Sequence, residues 1–564
     1  MAETRCYAAP AVRIPITLYL LALVARLVLI LHFPDPAYPD SFYYADVARN
    51  LAAGHGFHVD FIWIFAEVGG RIPADPVLPI PSNAHWMPLA SIVQVPFLVL
   101  SGSSPVAGAL PFALVGSTAA PLTWAIARDA GLSKTVAVSA GLLVALPVLL
   151  LGFMVQPDNF SLYQPLVAGA LWLTARGLRG DARGYALAGF LVGLATLSRN
   201  DGVLVGLTVG LAFAWDRWRA WRSAGARAPQ IPLWSAIACF GLFGATVAPW
   251  ISRQLAVFGA ISPSTASGKV FFIRSIEEWN SITTPATLDW LVGQGIGPLI
   301  LSRIGGLLAA IGVFGTLALA WIFVPPLVVG AWSQRRSVSF GPFFTYAAIL
   351  FGFSGLVSAI HVPGGTFIHS AVALVPHTYI LVIQGIVVCV AWIASRRRAW
   401  RVDQATRIFV GAAVAFASVA AILVGLGIHG GWRAQQSDRQ ALGAAITLTG
   451  ASPDARVMSL DAAGFKYLTG HGGVVTPNDP IETIHDVAVA YQIEWLVIER
   501  SNAVSALAPI LSGDARPAWI GSPIFTIDDD GRLPRAAVYP ICSSDRDARC
   551  SVVAKLSGRR GGHG

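Results

Sequence analysis

The chain has 564 residues, of which 55% are hydrophobic and 12% charged, with a mean hydropathy of +0.63. A soluble domain carries roughly twice that charged fraction, so a wholly soluble protein is excluded and a polytopic membrane protein with some soluble mass is expected. The net charge of +9 is no nucleic-acid signal, because the basic residues cluster in the gaps between apolar runs.

The first apolar run lacks a small-residue cleavage site and reads as a retained span. Hydropathy predicts about eleven spans, some crossing only with tilt. They lie near 12–31, 106–128, 134–153, 159–176, 184–199, 202–216, 232–251, 298–325, 340–361, 371–395 and 406–428. The stretch 86–101 is apolar but reads as re-entrant or surface-lying. Charge supports that reading. With 86–101 not crossing, the clusters Arg128 to Lys134, Arg176 to Arg183, Arg217 to Arg227, Arg335–Arg336 and Arg396 to Arg407 share one side with Arg5 and Arg13. Basic loops favour the cytoplasm, so the N-terminus is predicted inside. The first loop and the C-terminal portion then lie outside. Scarce lysine beside abundant arginine, Ala and Gly fits a high-GC bacterium. Trp215 to Trp221 read as inner-face anchors.

The first outside loop, 32–105, opens with PDSFYYADVARNLAAGHGF, Pro39 to Phe57. Tyr44, Val47, Ala48 and Leu51 repeat at helical spacing and predict a helix lying on the bilayer, ended by Gly54 and Gly56. Asp40 stands in its first turn, either as a cap or as a group for chemistry at the membrane surface. The same loop carries Asp46, Asp60, Glu67 and His85. Later outside loops carry Asp158 and Asn159, then Arg199 and Asp201 in a tight turn. Arg253, Lys269, Arg274, Glu277 and Glu278 follow, and His361 and His369 lie in HVPGGTFIHS.

The tail reads as a soluble α/β domain, 431–564, beside a membrane domain, 1–430. ARVMSL, GGVVT, EWLVIE and a pair around Ile524 and Val538 predict strands, with helices over 481–493 and 503–511. No nucleotide-type glycine loop occurs in it. Cys542 and Cys550 share this outside segment, where a local disulfide is feasible. No CxxC or HExxH pattern marks a metal site.

Four pieces carry a resemblance to the GT-C group of membrane glycosyltransferases, which use polyprenyl-phosphate sugars. The chain is similar to the branch holding protein O-mannosyltransferases and the lipid A aminoarabinose transferase. PDSFYYADVARNLAAGHGF resembles that group's first-loop helix. HWMPL, His85 to Leu89, resembles its re-entering segment. LATLSRNDG, Leu194 to Gly202, resembles a hairpin bearing a cation, and VAPWISRQLAVFG, Val247 to Gly259, the start of its fourth outside loop. The group often pairs two acids in the first loop, whereas Ser41 follows Asp40 here, so Asp158 is the candidate second carboxylate.

The resemblance implies GT-C architecture and a multi-pass protein of the plasma membrane. It would transfer a sugar at the outer face, within the cell envelope. The donor phosphate leaves as a stable anion that a cation must bind, and the acceptor hydroxyl needs a carboxylate to take its proton. Asp40 is the predicted base, with inversion, and Arg199 the predicted phosphate ligand. A membrane-depth arginine costs roughly 3 kcal/mol, which favours a role beyond snorkelling. Arg253, Lys269 and Arg274 are further phosphate candidates or solvated loop charges.

Asp158 shares the base role, positions the acceptor, helps bind a divalent ion or caps the fourth span. His85 is a ligand or, with Trp86, an interface anchor, and His369 faces phosphate or metal. Tyr43 and Tyr44 stack on sugar or pack on lipid. Metal dependence stays open. The sugar and the acceptor, whether protein, lipid or wall polysaccharide, are not legible. The competing class is a transporter or flippase of an amphiphile, though the two related halves of many transporters are not visible.

Overall fold

The computed structural model describes residues 9–223, 227–358, 366–397, 399–513, 516–528 and 533–542. The chain forms two compact units. One comprises 1–35, 86–253 and 300–429, the other 36–85, 254–299 and 430–564.

Seven helices among the described residues are long and apolar enough to cross a membrane. They are Val12–His32, Pro105–Asp129, Leu233–Phe258, Ile296–Leu317, Val338–Val357, Phe367–Ala394 and Val402–Leu448. The remaining expected spans form helices that fall short by length or polarity: Lys134–Ala145, Phe160–Gly177, Ala182–Ser198 and Val203–Arg222. The run expected over 134–153 stops at Ala145 because Pro147 follows. Arg26, fully buried on the first span, donates from Nη1 to Ala145 O at 3.1 Å and so caps that helix end.

The run expected as one span over 298–325 is two helices. The first ends at Leu317, positive φ at Ala320 and Trp321 breaks the chain, and a second helix, Val324–Gln334, starts on prolines. This second helix lies backbone to backbone against Val375–Ala394. A Cβ on Gly330 would fall 1.8 Å from Leu381 O, and one on Gly385 1.8 Å from Pro326 O, the close approach small residues give in membranes. The segment 86–101 forms two short helices, Leu89–Ile92 and Val95–Ser101, too short to cross.

The second unit is built on a mixed sheet. Its strands are β2 (Phe61–Ile62), β4 (Val457–Ser459), β5 (Gly473–Val475), β6 (Trp495–Glu499), β7 (Phe525–Ile527) and β8 (Ala536–Pro540). Their order is β2-β5-β4-β6-β8-β7. Strands β2, β5, β4 and β6 run parallel, and β8 and β7 pair antiparallel at the other edge. The expected tail strands form, and helix Ile481–Ala490 covers most of its expected range. The second expected helix shrinks to Ala508–Leu511, and an unforeseen helix, Ala462–Thr469, joins β4 to β5.

The tail does not complete this sheet alone. Strand β2 comes from the first outside loop, where β1 (His58–Val59) and β3 (Ile80–Pro81) also pair antiparallel. Gly472 permits the join: a Cβ there would sit 2.3 Å from Asp60 O. The fourth outside loop is tied in as well. Asp479 accepts from Ser281 Oγ at 2.6 Å and from the amides of Ile282 and Thr283 at 2.7 and 3.1 Å. The core of this unit gathers Leu442, Ile446, Val457, Phe465, Trp495 and Val538.

Candidate functional site

In the membrane unit the polar residues converge at one end of helix Phe160–Gly177. Its N-cap is Asn159, which makes no side-chain cap bond. The Asp158 carboxylate is fully buried and takes the Asn159 amide at 2.5 Å on Oδ1. Its Oδ2 lies 3.3 Å from His369 Nδ1. Asn159 Oδ1 stands at the same distance from that nitrogen. The Phe160 ring covers the imidazole, with centroids 4.2 Å apart. His361 lies outside the described residues.

The hairpin after helix Ala182–Ser198 supplies the cation. Arg199 leaves the helix in extended conformation, and its Nε meets Asp201 Oδ1 at 3.0 Å. The turn requires glycine at 202, since a Cβ there would meet the Thr196 amide at 2.6 Å. Asp201 Oδ2 accepts from Ser370 Oγ, the residue beside His369. One short helix, Thr366–Ala371, thus ties both pairs together. One turn into helix Phe160–Gly177, Tyr163 meets Tyr346, hydroxyl to hydroxyl, at 3.1 Å. Asp201 was legible two residues from Arg199. Ser370 and Tyr346 carried no sequence signal, because their partners are remote in the chain.

In the second unit, helix Pro39–Ala52 forms as expected, but not as a helix resting on lipid by one face. Phe42 to Ala48 are all buried, Asp46 included. The burial follows from partners on every side. Phe42 packs on Tyr467, and the Tyr43 hydroxyl donates to Glu67 Oε1 at 2.7 Å while accepting the Asn83 amide at 2.7 Å. Tyr43 and Tyr44 therefore lie in protein, their rings nearly perpendicular with centroids 6.2 Å apart. Asp40 is half-buried at the second helical position. Ser41, not Asp40, takes the Ala37 and Tyr38 amides, at 2.9 and 3.0 Å.

Two carboxyls in this unit are perturbed. Burial pushes Glu67 up to about 7, against the Tyr43 hydroxyl and Trp63 amide that favour its charge. Burial, helped by Asp60, pushes Asp46 up to about 6 against Lys466 and Arg49. Glu67 was visible as a first-loop acid, but nothing in the sequence marked its burial.

The other candidates are already engaged. Arg274 Nε pairs with Glu278 Oε1 at 3.0 Å. Lys269 Nζ donates to Ser281 O, and burial lowers its pKa. The Arg253 guanidinium sits 4.9 Å over the Trp250 ring. His85 Nδ1 lies 2.8 Å from Ser264 Oγ, and its ring lies beside Trp279. Cys542 is disulfide-bonded; Cys550 lies outside the described residues.

Residues 85–245 match the family model of dolichyl-phosphate-mannose-protein mannosyltransferase. The structure is similar to that of ArnT from Cupriavidus metallidurans bound to undecaprenyl phosphate. That match has a TM-score of 0.56 at 13% identity and covers 94% of this chain and 98% of that one. The fold is that of the GT-C membrane glycosyltransferases. A second GT-C relative in structure is the oligosaccharyltransferase AglB of Archaeoglobus fulgidus, in complex with an inhibitory peptide and a dolichol-phosphate. Its TM-score is 0.52 at 12% identity, with 94% of this chain and 74% of that chain covered. The Archaeoglobus fulgidus oligosaccharyltransferase in complex with Zn and sulfate matches with a TM-score of 0.50 at 14% identity, over 86% of this chain and 67% of that one. Among curated protein sequences none matches the chain.

The donor set suits a divalent ion in kind: the Asp158 carboxylate and the His369 imidazole are a hard oxygen and a borderline nitrogen of the type Zn2+ and Mn2+ accept. These two residues would hold it.

Proposed function

We propose that this GT-C protein transfers a sugar, hexosyl or pentosyl, from a polyprenyl-phosphate donor to an acceptor hydroxyl at the outer face of the plasma membrane. The observation that carries the reading is the linkage of two pairs in the membrane unit of a GT-C fold: the buried Asp158–His369 contact and the half-buried Arg199–Asp201 ion pair. Ionisable groups set among spanning helices are costly and mark substrate paths. The solved ArnT and AglB structures hold undecaprenyl phosphate and a dolichol-phosphate.

In this reading Asp40 takes the acceptor proton as the oxygen attacks the anomeric carbon. The bond from that carbon to the phosphate oxygen breaks, and the polyprenyl phosphate leaves with the electron pair. One displacement inverts the anomeric centre. Arg199 carries the leaving phosphate. Asp201 and Ser370 hold the guanidinium in a fixed direction, so little order is lost when the phosphate arrives. Asp158 and His369 orient the acceptor side. A divalent ion, when bound, supplies positive charge against phosphate.

The test is transfer of labelled sugar from a polyprenyl phosphate by purified protein in detergent. A transporter or flippase needs two compartments and gives no product there; a transferase does.

A further inference from the structure

Helix Val203–Arg222 carries the Arg199 hairpin before its first residue and a different feature near its last. Val203 and Trp218 are about 22 Å apart at 1.5 Å per residue, so the two features lie at opposite ends. Around the second, a cavity of about 740 Å³ opens between this helix and helix Gly341–Gly352. None of the site residues of the previous sections lines it.

Four arginines, Arg219, Arg227, Arg335 and Arg336, line the cavity with a single acid, Asp216. Among the described residues that acid forms no ion pair with them: its Oδ2 takes the Gln230 and Ile231 amides at 2.8 and 2.9 Å. Among the described residues Arg219, Arg227 and Arg336 form no ion pair. Arg335 is held by Trp332, its guanidinium 4.0 Å over that ring. Leu211, Val338 and Pro342 supply apolar wall. The Trp215 and Trp218 rings lie 4.7 Å apart, tilted by 32°, and Arg222 lies 4.7 Å over Trp218.

An exposed apolar stripe runs along the same helix into the cavity: Leu207, Leu211, Trp215 and Trp218, each 40–51% exposed. The four recur three or four residues apart and so share one face.

We infer that this cavity binds the phosphate of an anionic phospholipid, phosphatidylglycerol, with an acyl chain laid along the Leu207–Trp218 stripe. Uncompensated guanidinium groups suit a phosphodiester. The apolar stripe and its paired indoles suit the chain below it, as tryptophan does at a membrane interface. A free anion would use the arginines and leave the stripe idle. Basic pockets between spanning helices on the positively charged face recognise lipid head groups in this way. The inference needs no part of the transferase reading.

The experiment uses full-length delipidated protein in detergent, titrated with dioleoylphosphatidylglycerol or dioleoylphosphatidylcholine and read by native mass spectrometry. Wild type retains one phosphatidylglycerol at concentrations where phosphatidylcholine is not retained. The double variant Arg219→Gln/Arg336→Gln raises the half-saturating concentration by about tenfold or more. Arg219→Lys/Arg336→Lys keeps most of the binding, which separates lost charge from lost fold. Trp215→Ala weakens retention without altering the preference for phosphatidylglycerol. Equal retention of the two lipids, wild-type retention by the Gln variant, or displacement of the lipid by millimolar inorganic phosphate overturns the proposal; the last outcome makes it a free-anion site.

Discussion

Asp158 Oδ2 and His369 Nδ1 stand 3.3 Å apart in the membrane unit, both buried, although 210 residues separate Asn159 from His369 in the same cluster. The pair works as one device, so its losses are not additive. We predict that Asp158→Asn slows transfer by about 100-fold, within the range of a positioned acid or base. His369→Gln slows it by less, and the double variant is little slower than Asp158→Asn. Rate measurements on the three variants at saturating donor check this. A double variant slower by the product of the two singles discards the coupling.

Arg199 makes a second, separate prediction. Its loss removes charge-assisted bonds of about 1.5–3 kcal/mol each, so Arg199→Ala raises the donor KM by about tenfold to 100-fold and lowers kcat. Arg199→Lys restores charge without the planar fork and recovers only part. Asp201→Asn weakens the anchor and gives a milder rise in KM. Unchanged kinetics in Arg199→Ala would remove the phosphate role.

The second unit carries a pH dependence of stability. Folded, Glu67 keeps its proton up to about pH 7, whereas a free glutamate releases it near 4.5. Its contribution is therefore full below the unfolded value and is lost as pH rises through about 7, to a ceiling of roughly 3 kcal/mol. Asp46, raised to about 6, acts in the same direction. The apparent melting temperature in detergent should fall between pH 5 and pH 8, and Glu67→Gln should flatten most of that slope. An unaltered slope in Glu67→Gln would assign the effect elsewhere.

The helix contact at Gly330 and Gly385 leaves no room for a side chain. Gly330→Ala places a methyl into the Leu381 carbonyl and should lower the melting temperature by several degrees. Gly330→Leu should abolish recovery of folded protein. A wild-type melting curve for Gly330→Ala would show that the helices part at no cost.

Much of this was legible from the chain alone. Hydropathy marked the long spans, and Asp40, Asp158, Arg199 and His369 stood out as ionisable groups at loop ends. The motif HWMPL falls at the start of the matched family segment. What escaped notice was set by remote pairing. Strand β2 is two residues long and acquires its identity only from β5, some 400 positions later. Helix Pro39–Ala52 shows an amphipathic pattern, yet Tyr43 and Asp46 are buried because Glu67, Phe61 and Lys466 arrive from elsewhere. The break after Leu317 was invisible to hydropathy because Ala320 and Trp321 are as apolar as the helix they end.

The carboxylate of Asp40 is the group on which the transferase reading depends. The direct measurement is transfer of labelled sugar from a polyprenyl phosphate by wild type and Asp40→Asn, purified in the same detergent and equally folded. The account predicts product from wild type and a rate lower by about 100-fold to 10,000-fold in Asp40→Asn, with donor KM little changed. Asp40→Asn turning over at the wild-type rate would contradict it.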